Sequence, residues 1–235
     1  MSDKFKYRSY KAELMDAPNI RKELLYKNLH ELDLLNRTLG GHTITRCGIK
    51  ELVTDKNKTY HIVDLGCGSG DTLKSIAIWA RSNGYKVKLT GIDINADAIK
   101  YLQNQCKDWD EINGVVSDWH DYLMKNNTID IIHCSLFCHH LHDDELRELF
   151  SLIHTKTMIG FVINDLRRNR LAYYCVYVLT RLLNGSVLSR NDGPLSVLRG
   201  FKSDELCDFI KQAQITDYSI HRKWAFRFLI VGKTG

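Results

Sequence analysis

The stretch Ile62-Val63-Asp64-Leu65-Gly66-Cys67-Gly68-Ser69-Gly70-Asp71 constrains the fold more than any other part of the chain. Val63 and Leu65 have the spacing of buried strand residues. The alternating glycines remove Cβ atoms where the backbone must turn sharply and a ligand must come close. Residues 72–82 read as a helix closed by Asn83-Gly84. Strand, glycine turn and helix in that order aim the turn's N–H groups and the helix's positive end into one hollow. The dinucleotide fingerprint is G-x-G-x-x-G, with its third glycine packed around a bound pyrophosphate. Here the turn reads G-x-G-x-G and is followed by Asp71, whose carboxylate would repel a pyrophosphate and suits a charged amino group. Asp64, just before the turn, is placed to receive an ammonium directly or through water.

The pattern repeats downstream. Strands at 60–65, 87–93, 112–116, 129–135 and 158–163 alternate with helices at 72–82, 96–106 and from 143. Such alternation predicts an α/β fold, a mainly parallel sheet with helices on both faces that binds ligands at the carboxyl ends of its strands. Strand two ends in Asp93, followed by Ile94-Asn95. An acid about 20 residues past a glycine turn is placed to accept both hydroxyls of a ribose. Its other reading, a cap for the helix from 96, is filled better by Asn95.

Residues 7–16 and 19–39 carry apolar side chains at helical spacing, with Pro18 in the first turn of the second helix and Gly40-Gly41 as its stop. A short helix follows at 48–53. These N-terminal helices either pad the sheet or fold over the ligand. After strand five, Asn164-Asp165 either faces the acceptor or satisfies the turn and the helix start, and the structural role is preferred. Residues 171–183 read as an aromatic helix, followed by a loop from Ser189 to Pro194. Such an insertion would cover the sheet's carboxyl edge, making Phe137, Tyr173 and Tyr177 candidates for an acceptor pocket wall; a dimer surface or a lipid contact are the rival uses. A last helix at 203–213 and strands at 215–223 and 226–231 complete the chain.

Composition narrows the class. With 44% hydrophobic and 26% charged residues, 235 residues suit one globular domain. The net charge of +5 is spread without basic blocks, so no nucleic-acid surface is expected. Seven cysteines in no regular framework suggest reduced thiols and a cytoplasmic protein. The N-terminus lacks the apolar core of a secretory signal, and no apolar run is long enough to span a bilayer.

The motif from Asp64 to Asp71 resembles the first motif of class I S-adenosylmethionine-dependent methyltransferases, and the resemblance continues in order over about residues 60–165. It implies a Rossmann-like, seven-stranded, mainly parallel sheet whose last strand is antiparallel. One domain is expected: an N-terminal helical lid (1–55), a cofactor-binding core (59–165), a substrate-cap insertion (166–202), then the last helix and a hairpin (203–235). It also implies that Asp64, Gly66, Cys67, Gly68 and Gly70 surround the cofactor's methionine part, that Asp93 and Ile94 meet the ribose, and that Ser135 borders the sulfonium. Val115 to Trp119 resembles the family's third motif, in which Asp118 and Trp119 meet the adenine; Asp118 also reads as a helix cap.

The loop Cys134-Ser135-Leu136-Phe137-Cys138-His139-His140-Leu141-His142 follows strand four, where the family borders the reacting methyl group. A sulfonium is already a good leaving group. The enzyme must then align the acceptor and, for a hydroxyl, remove its proton, which an imidazole can accept near neutral pH. His139 and His140 are the candidates, with packing under the next helix as the plain alternative. Metal binding by these cysteines and histidines is not expected, because no second cluster with zinc spacing exists. The chain lacks the Asp/Asn-Pro-Pro-aromatic motif of nucleic-acid amino-methylating members. The combined pattern resembles bacterial enzymes that act on small phenolic, quinone-like or polyketide acceptors, with direct in-line transfer and S-adenosylhomocysteine as product. The alternatives are an NAD(P)- or flavin-dependent oxidoreductase and a non-catalytic cofactor-binding module.

Overall fold

The computed structural model describes residues 4–17 and 19–234; Pro18 and its predicted place in a first helical turn lie outside them. Two helices, α1 (Lys22–Thr38) and α2 (Gly41–Leu52), precede β1 (Thr59–Leu65), α3 (Asp71–Asn83), β2 (Lys86–Asp93), α4 (Ala96–Gln105) and β3 (Ile112–Val116). Then come α5 (Trp119–Lys125), β4 (Ile129–Ser135), α6 (Asp143–Lys156), β5 (Thr157–Leu166), α7 (Arg170–Leu182), α8 (Val187–Arg199), α9 (Ser203–Gln212), β6 (Asp217–Lys223) and β7 (Arg227–Lys233). The strands form one sheet in the order β3-β2-β1-β4-β5-β7-β6. The pairs β1–β2, β2–β3, β1–β4 and β4–β5 are parallel, and β7 is antiparallel to both β5 and β6. The expected Rossmann-like sheet with an antiparallel last strand is therefore the one observed. Strand order reverses between β1 and β4, the switch point at which open α/β sheets bind ligands. The glycine turn leaves β1 there and the histidine loop leaves β4.

Alternation along the strands builds two cores. Val63, Leu65, Ile132, Cys134, Phe161 and Ile163 face Leu146, Leu149, Phe150, Phe209 and Ile210 of α6 and α9. Ile62, Leu89, Ile131, Val162 and Leu229 face Ile44, Ile49, Leu73, Ile76 and Ala77 of α2 and α3. Each face is dry, which is why the parallel strands read as almost continuous apolar runs.

Three segments depart from the sequence expectation. Residues 7–16 are an extended strap, with one turn of 3-10 helix at Leu14–Asp16. The apolar positions that suggested a helix, Tyr7, Tyr10 and Leu14, are exposed, so no core selects the helical state. Long-range bonds hold the strap instead: Ser9 N–H donates to Leu198 O at 3.0 Å, and the Asp192 carboxylate accepts from Leu14 N–H (2.8 Å) and Met15 N–H (2.9 Å). Secondly, Gly40 (φ 78°) turns the chain as expected, but the next helix starts at once at Gly41 rather than at 48. Thirdly, the expected loop from Ser189 to Pro194 lies inside α8, which Ser186 caps by accepting from Ser189 N–H at 3.2 Å.

Candidate active site

A cavity of about 890 Å³ opens at the carboxyl ends of β1, β2, β3 and β4. It lies toward the top of the range of ~300–1,000 Å³ that takes drug-sized ligands. The core contributes the glycine turn, Asp93 to Ala98, Ser117 to Trp119, Ser135 to Phe137, His139 and His140. Opposite them stand Glu13, Met15 and Asp16 of the strap, the leucines of α1, and Val176, Gly193, Ser196 and Val197 of α7 and α8. The N-terminal region thus divides its labour: α1 covers the cavity while α2 pads the sheet.

The glycine turn is self-contained. The N–H groups of Gly66 and Cys67 both donate to Ile92 O (2.9 and 3.0 Å), Gly70 N–H donates to Cys67 O (2.9 Å), and Gly68 N–H donates to Asp93 Oδ2 (3.0 Å). This corrects the expectation that the turn's N–H groups point into the hollow. Gly66 has φ 68°, and a Cβ there would overlap the Phe137 ring, so only glycine lets the histidine loop seat on the turn. Asp93 staples the turn to the start of α4, accepting also from Asn95 N–H at 2.9 Å. Burial pushes its pKa up, although both N–H groups oppose the shift. A carboxylate has about four acceptor sites, so acceptor capacity remains for a ligand. Asn95 caps α4, as expected, and Ile94 sits at the rim of the cavity.

Asp64 is 2% exposed, and its Oδ1 lies 2.6 Å from His133 Nδ1. The other ring nitrogen of His133 meets Thr45 Oγ1 at 3.2 Å, and that oxygen also accepts from Asn164 Nδ2 at 3.1 Å. This buried relay fixes the Asp64 carboxyl at the cavity wall. Burial raises its pKa against the opposing pull of His133. Asp118 caps α5 by accepting from His120 N–H at 2.8 Å, so the cap reading holds, and both it and Trp119 line the cavity.

Asp71 was assigned to a ligand's amino group, but it is engaged by the protein. Its Oδ2 meets His42 Nε2 (2.7 Å) and Asn36 Nδ2 (3.0 Å), and its Oδ1 accepts from Ser69 Oγ (2.8 Å). It therefore ties α1 and α2 to the turn. Burial alone would raise its pKa, but the bonds from His42 and Asn36 outweigh burial and hold it below the usual carboxylate range. A depressed folded pKa stabilises the protein above the unfolded value of about 3.9 and stops doing so as pH falls through the folded value. Asp71→Asn is thus expected to cost about 1–3 kcal/mol at pH 7, with the gap in melting temperature to wild type closing below about pH 4.

The histidine loop is held more elaborately than its sequence suggests. Leu136 has φ 54°, a strained left-handed conformation next to the reacting region. His139, 2% exposed, has Nδ1 at 2.7 Å from Asp165 Oδ1 and Nε2 at 3.7 Å from Glu13 Oε1. Burial would raise the pKa of Asp165, but the charge and hydrogen bond of His139 hold it down, so it stays ionised. His140 stacks on His139 with centroids 4.4 Å apart and places Nδ1 3.0 Å from Asp16 Oδ2. Burial would lower its pKa; the Asp16 bond and the charges of Glu13 and Asp16 override that and raise it. Two buried arginines lock strap, loop and α8 together. Arg8 donates to Arg199 O (3.0 Å), Asp143 Oδ1 (2.8 Å), Leu141 O (2.9 Å) and His139 O (3.3 Å). Arg199 donates to His139 O (3.0 Å), His140 O (2.6 Å) and Lys11 O.

Of the residues expected to bind cofactor, Asp64, Gly66, Cys67, Gly68, Asp93, Ile94, Asp118, Trp119 and Ser135 line this one cavity, as do His139, His140 and Phe137. Gly70 lies behind it and packs on Leu102. Tyr173 and Tyr177 are not in the lining: Tyr177 is exposed on α7, and Tyr173 lines a separate hollow between the strap and α8, where Lys4 Nζ lies 3.6 Å from its ring centroid. The helical spacing was right, but Val176 and not the tyrosines faces the cavity. Cys134 and Cys138 are buried in the core beneath the sheet and take no part. Glu13, His133 and Asp192 were missed, and Arg8, Arg199 and Arg227 with them, while Asp165 was named but assigned to the turn; their partners lie 26 to 191 residues away in the chain. Among the described residues, no helix is long and apolar enough to cross a membrane.

A model of the methyltransferase domain family matches residues 62–157. No curated protein sequence matches the chain. Solved structures that superpose on it include a candidate O-methyltransferase of Nostoc punctiforme PCC 73102, with TM-score 0.59 and 12% identity over 87% of this chain and 60% of that one. A methyltransferase from Archaeoglobus fulgidus, described as S-adenosylmethionine-dependent, superposes with TM-score 0.59 and 17% identity over 85% of this chain and 98% of that one. The magnesium protoporphyrin IX methyltransferase of Synechocystis PCC 6803 with bound S-adenosylhomocysteine gives 0.56 and 14% over 83% and 84%. At such identities the likeness is one of fold, and the chain spans only about 60% of the Nostoc protein. The matched segment contains the glycine turn, Asp93 and the histidine loop, and the sheet around it has the strand order described above. Residues 62–157 thus match a methyltransferase domain model, and the fold around them is the one these solved methyltransferases share.

Proposed function

We propose that the protein transfers a methyl group from S-adenosylmethionine to an oxygen of a small, flat acceptor held against the histidine loop. The observation that carries this reading is the charge of the cavity. Glu13, Asp16, Asp64, Asp71, Asp93, Asp97 and Asp118 line it against a single arginine, Arg227. Arg227 is itself buried, with burial lowering its pKa to about 10, and it donates to Asn36 Oδ1 at 2.8 Å. A pyrophosphate would meet those carboxylates and a glycine turn whose N–H groups at 66, 67, 68 and 70 are already bonded. A ligand that carries an ammonium and a sulfonium suits the same surface.

Asp64 and the glycine turn would hold the methionine part, Asp93 the ribose, and Asp118 with Trp119 the adenine. When bound, S-adenosylmethionine supplies a methyl group on a sulfonium that is already a good leaving group. The protein's own work is then alignment and proton removal. Asp165 accepts the Nδ1 proton of His139, which leaves Nε2 with its lone pair toward the cavity, placed to take the proton of an acceptor hydroxyl. Phe137, Met15, Leu166, Val176 and Val197 supply the apolar wall that favours an aromatic or lipid-like acceptor. The Nostoc structure, a candidate O-methyltransferase, agrees with an oxygen acceptor.

The test is calorimetric titration with S-adenosylmethionine, S-adenosylhomocysteine and NADH. Micromolar binding of the first two is expected, weakened about ten-fold in Asp93→Asn, the worth of one charge-assisted hydrogen bond. Binding of NADH alone would overturn the reading.

A further inference from the structure

We infer that Glu13, His139 and His140 form a binding site for one divalent transition-metal ion on the wall of the cavity. The argument starts from the ring protons. Nδ1 of His139 meets Asp165 Oδ1 at 2.7 Å, and Nδ1 of His140 meets Asp16 Oδ2 at 3.0 Å. Ionised carboxylates only accept, so in each neutral ring the proton is on Nδ1 and Nε2 carries a lone pair. Both lone pairs face Glu13: Nε2 of His139 is 3.7 Å from Oε1, and Nε2 of His140 is 3.9 Å from Oε2. One donor atom from each of the three residues lies within 4.8 Å of the other two. Three acceptors converging on one point repel each other unless a positive charge sits between them, and a metal ion or an added proton are the two ways to supply it.

The surroundings favour the metal. Metal-bound histidines almost always donate their second ring N–H to a carboxylate or carbonyl, and a ligating carboxylate is itself hydrogen-bonded. Asp165 and Asp16 do the first here, and Ser196 Oγ does the second, donating to Glu13 Oε1 at 2.9 Å. Arg199 Nε also lies 3.7 Å from Oε1, but it donates to the carbonyl of His139 and leaves Oε2 turned to His140. Metal–ligand bonds of about 2.0–2.2 Å set donor–donor distances near 3–3.6 Å, so the two histidine–carboxylate separations of 3.7 and 3.9 Å need shorten by only a few tenths of an ångström to enter that range. Two imidazoles and one carboxylate suit Zn²⁺, Fe²⁺ or Co²⁺ better than Mg²⁺, and such sets leave coordination positions for a substrate. All three residues line the cavity. The spacing argument against a metal weighed only the cysteines and histidines of the loop, whereas the third ligand comes from the strap.

The use of the site rests on the methyl-transfer reading, although its existence does not. An ion there would occupy the Nε2 lone pair that His139 otherwise offers as a base and take over its task, binding the acceptor oxygen as its anion and lowering the pKa of its hydroxyl, which narrows the acceptor class to oxygen ligands.

The experiment is Co²⁺ titration of chelator-treated protein, followed by visible absorption, with S-adenosylhomocysteine affinity measured on the same samples. Wild type is expected to take up one equivalent with the d–d bands of a nitrogen- and oxygen-ligated ion. Asp165→Asn should weaken uptake about 10–100-fold, and the double variant Glu13→Gln, His140→Ala should abolish it while still binding S-adenosylhomocysteine. Zn²⁺ added to wild type should also suppress the NMR pH titration of both histidines, a readout that needs no variant. Absence of stoichiometric uptake by wild type, histidines that titrate as before with Zn²⁺ present, or uptake that survives the double variant would overturn the metal site. Loss of S-adenosylhomocysteine binding by wild type would instead count against the methyl-transfer reading.

Discussion

His139→Ala is expected to lower kcat by about 10²–10⁴-fold, the usual worth of a positioned general base, while S-adenosylhomocysteine affinity stays within about two-fold of wild type. The two quantities separate because His139 sits on the loop after β4, away from the glycine turn and Asp93. The pH profile carries the diagnosis: an acceptor that is already ionised needs no base, so the deficit should shrink as pH rises toward the acceptor's own pKa. Asp165→Asn tests the same machinery at one remove. An amide nitrogen can donate to Nδ1 and drive the ring proton onto Nε2, turning the acceptor nitrogen into a donor. It should lose activity on a comparable scale with His139 still in place. A full rate in both variants would remove His139 from the chemistry.

Arg8→Ala is expected to reduce turnover about 100-fold although Arg8 does not line the cavity, because a small misplacement of a catalytic group costs that much. Its guanidinium makes four hydrogen bonds that hold strap, loop and α8 in register. Its ion-pair partner Asp143 is half-exposed, so the loss falls mainly on the three buried carbonyls left without a donor, at about 1–3 kcal/mol each. Here the strap can open while both cores stay packed, and that local opening caps the global loss. The expected signature is a melting temperature only a few degrees lower, with new proteolytic cuts among residues 5–17. Arg8→Lys should not restore the rate, since an ammonium cannot span the carbonyls that the planar fork reaches. Wild-type turnover and protease resistance in Arg8→Ala would show that the strap is ornamental.

The glycine-turn edge of the cavity was legible because its signals are local. Apolar alternation in 60–65, glycines at alternate positions and an acid at the end of the next strand each report a backbone need within a few residues, and the structure places Gly66, Asp93 and Asp118 along one cavity. The opposite edge, where strap and loop meet, was legible only as a histidine pair. Glu13 sits in a stretch that scans as an amphipathic helix, Asp165 looks like a turn residue, and Arg8 and Arg199 look like surface charge. Their roles arise from polar contacts between segments 26 to 191 residues apart, for which single-sequence periodicity has no signal. The tyrosines of α7 failed for a related reason. A helix with apolar residues on several sides does not announce which side is inward, and Tyr174, Val178 and Leu182 prove to be exposed.

The strap has one more consequence, for the order in which the molecule can be completed. A ribosome makes Glu13 well before Asp192, Leu198 and Arg199, the groups that seat its segment. The turn, Asp93 and the β4 loop can come together while residues 5–17 are still without a dock. A nascent chain that stops before α8 would own the glycine turn, Asp93 and the histidine pair but nothing to hold Glu13 against them. Closure of the cavity wall that Glu13 and Asp16 supply thus waits on a helix made far later than the strap itself.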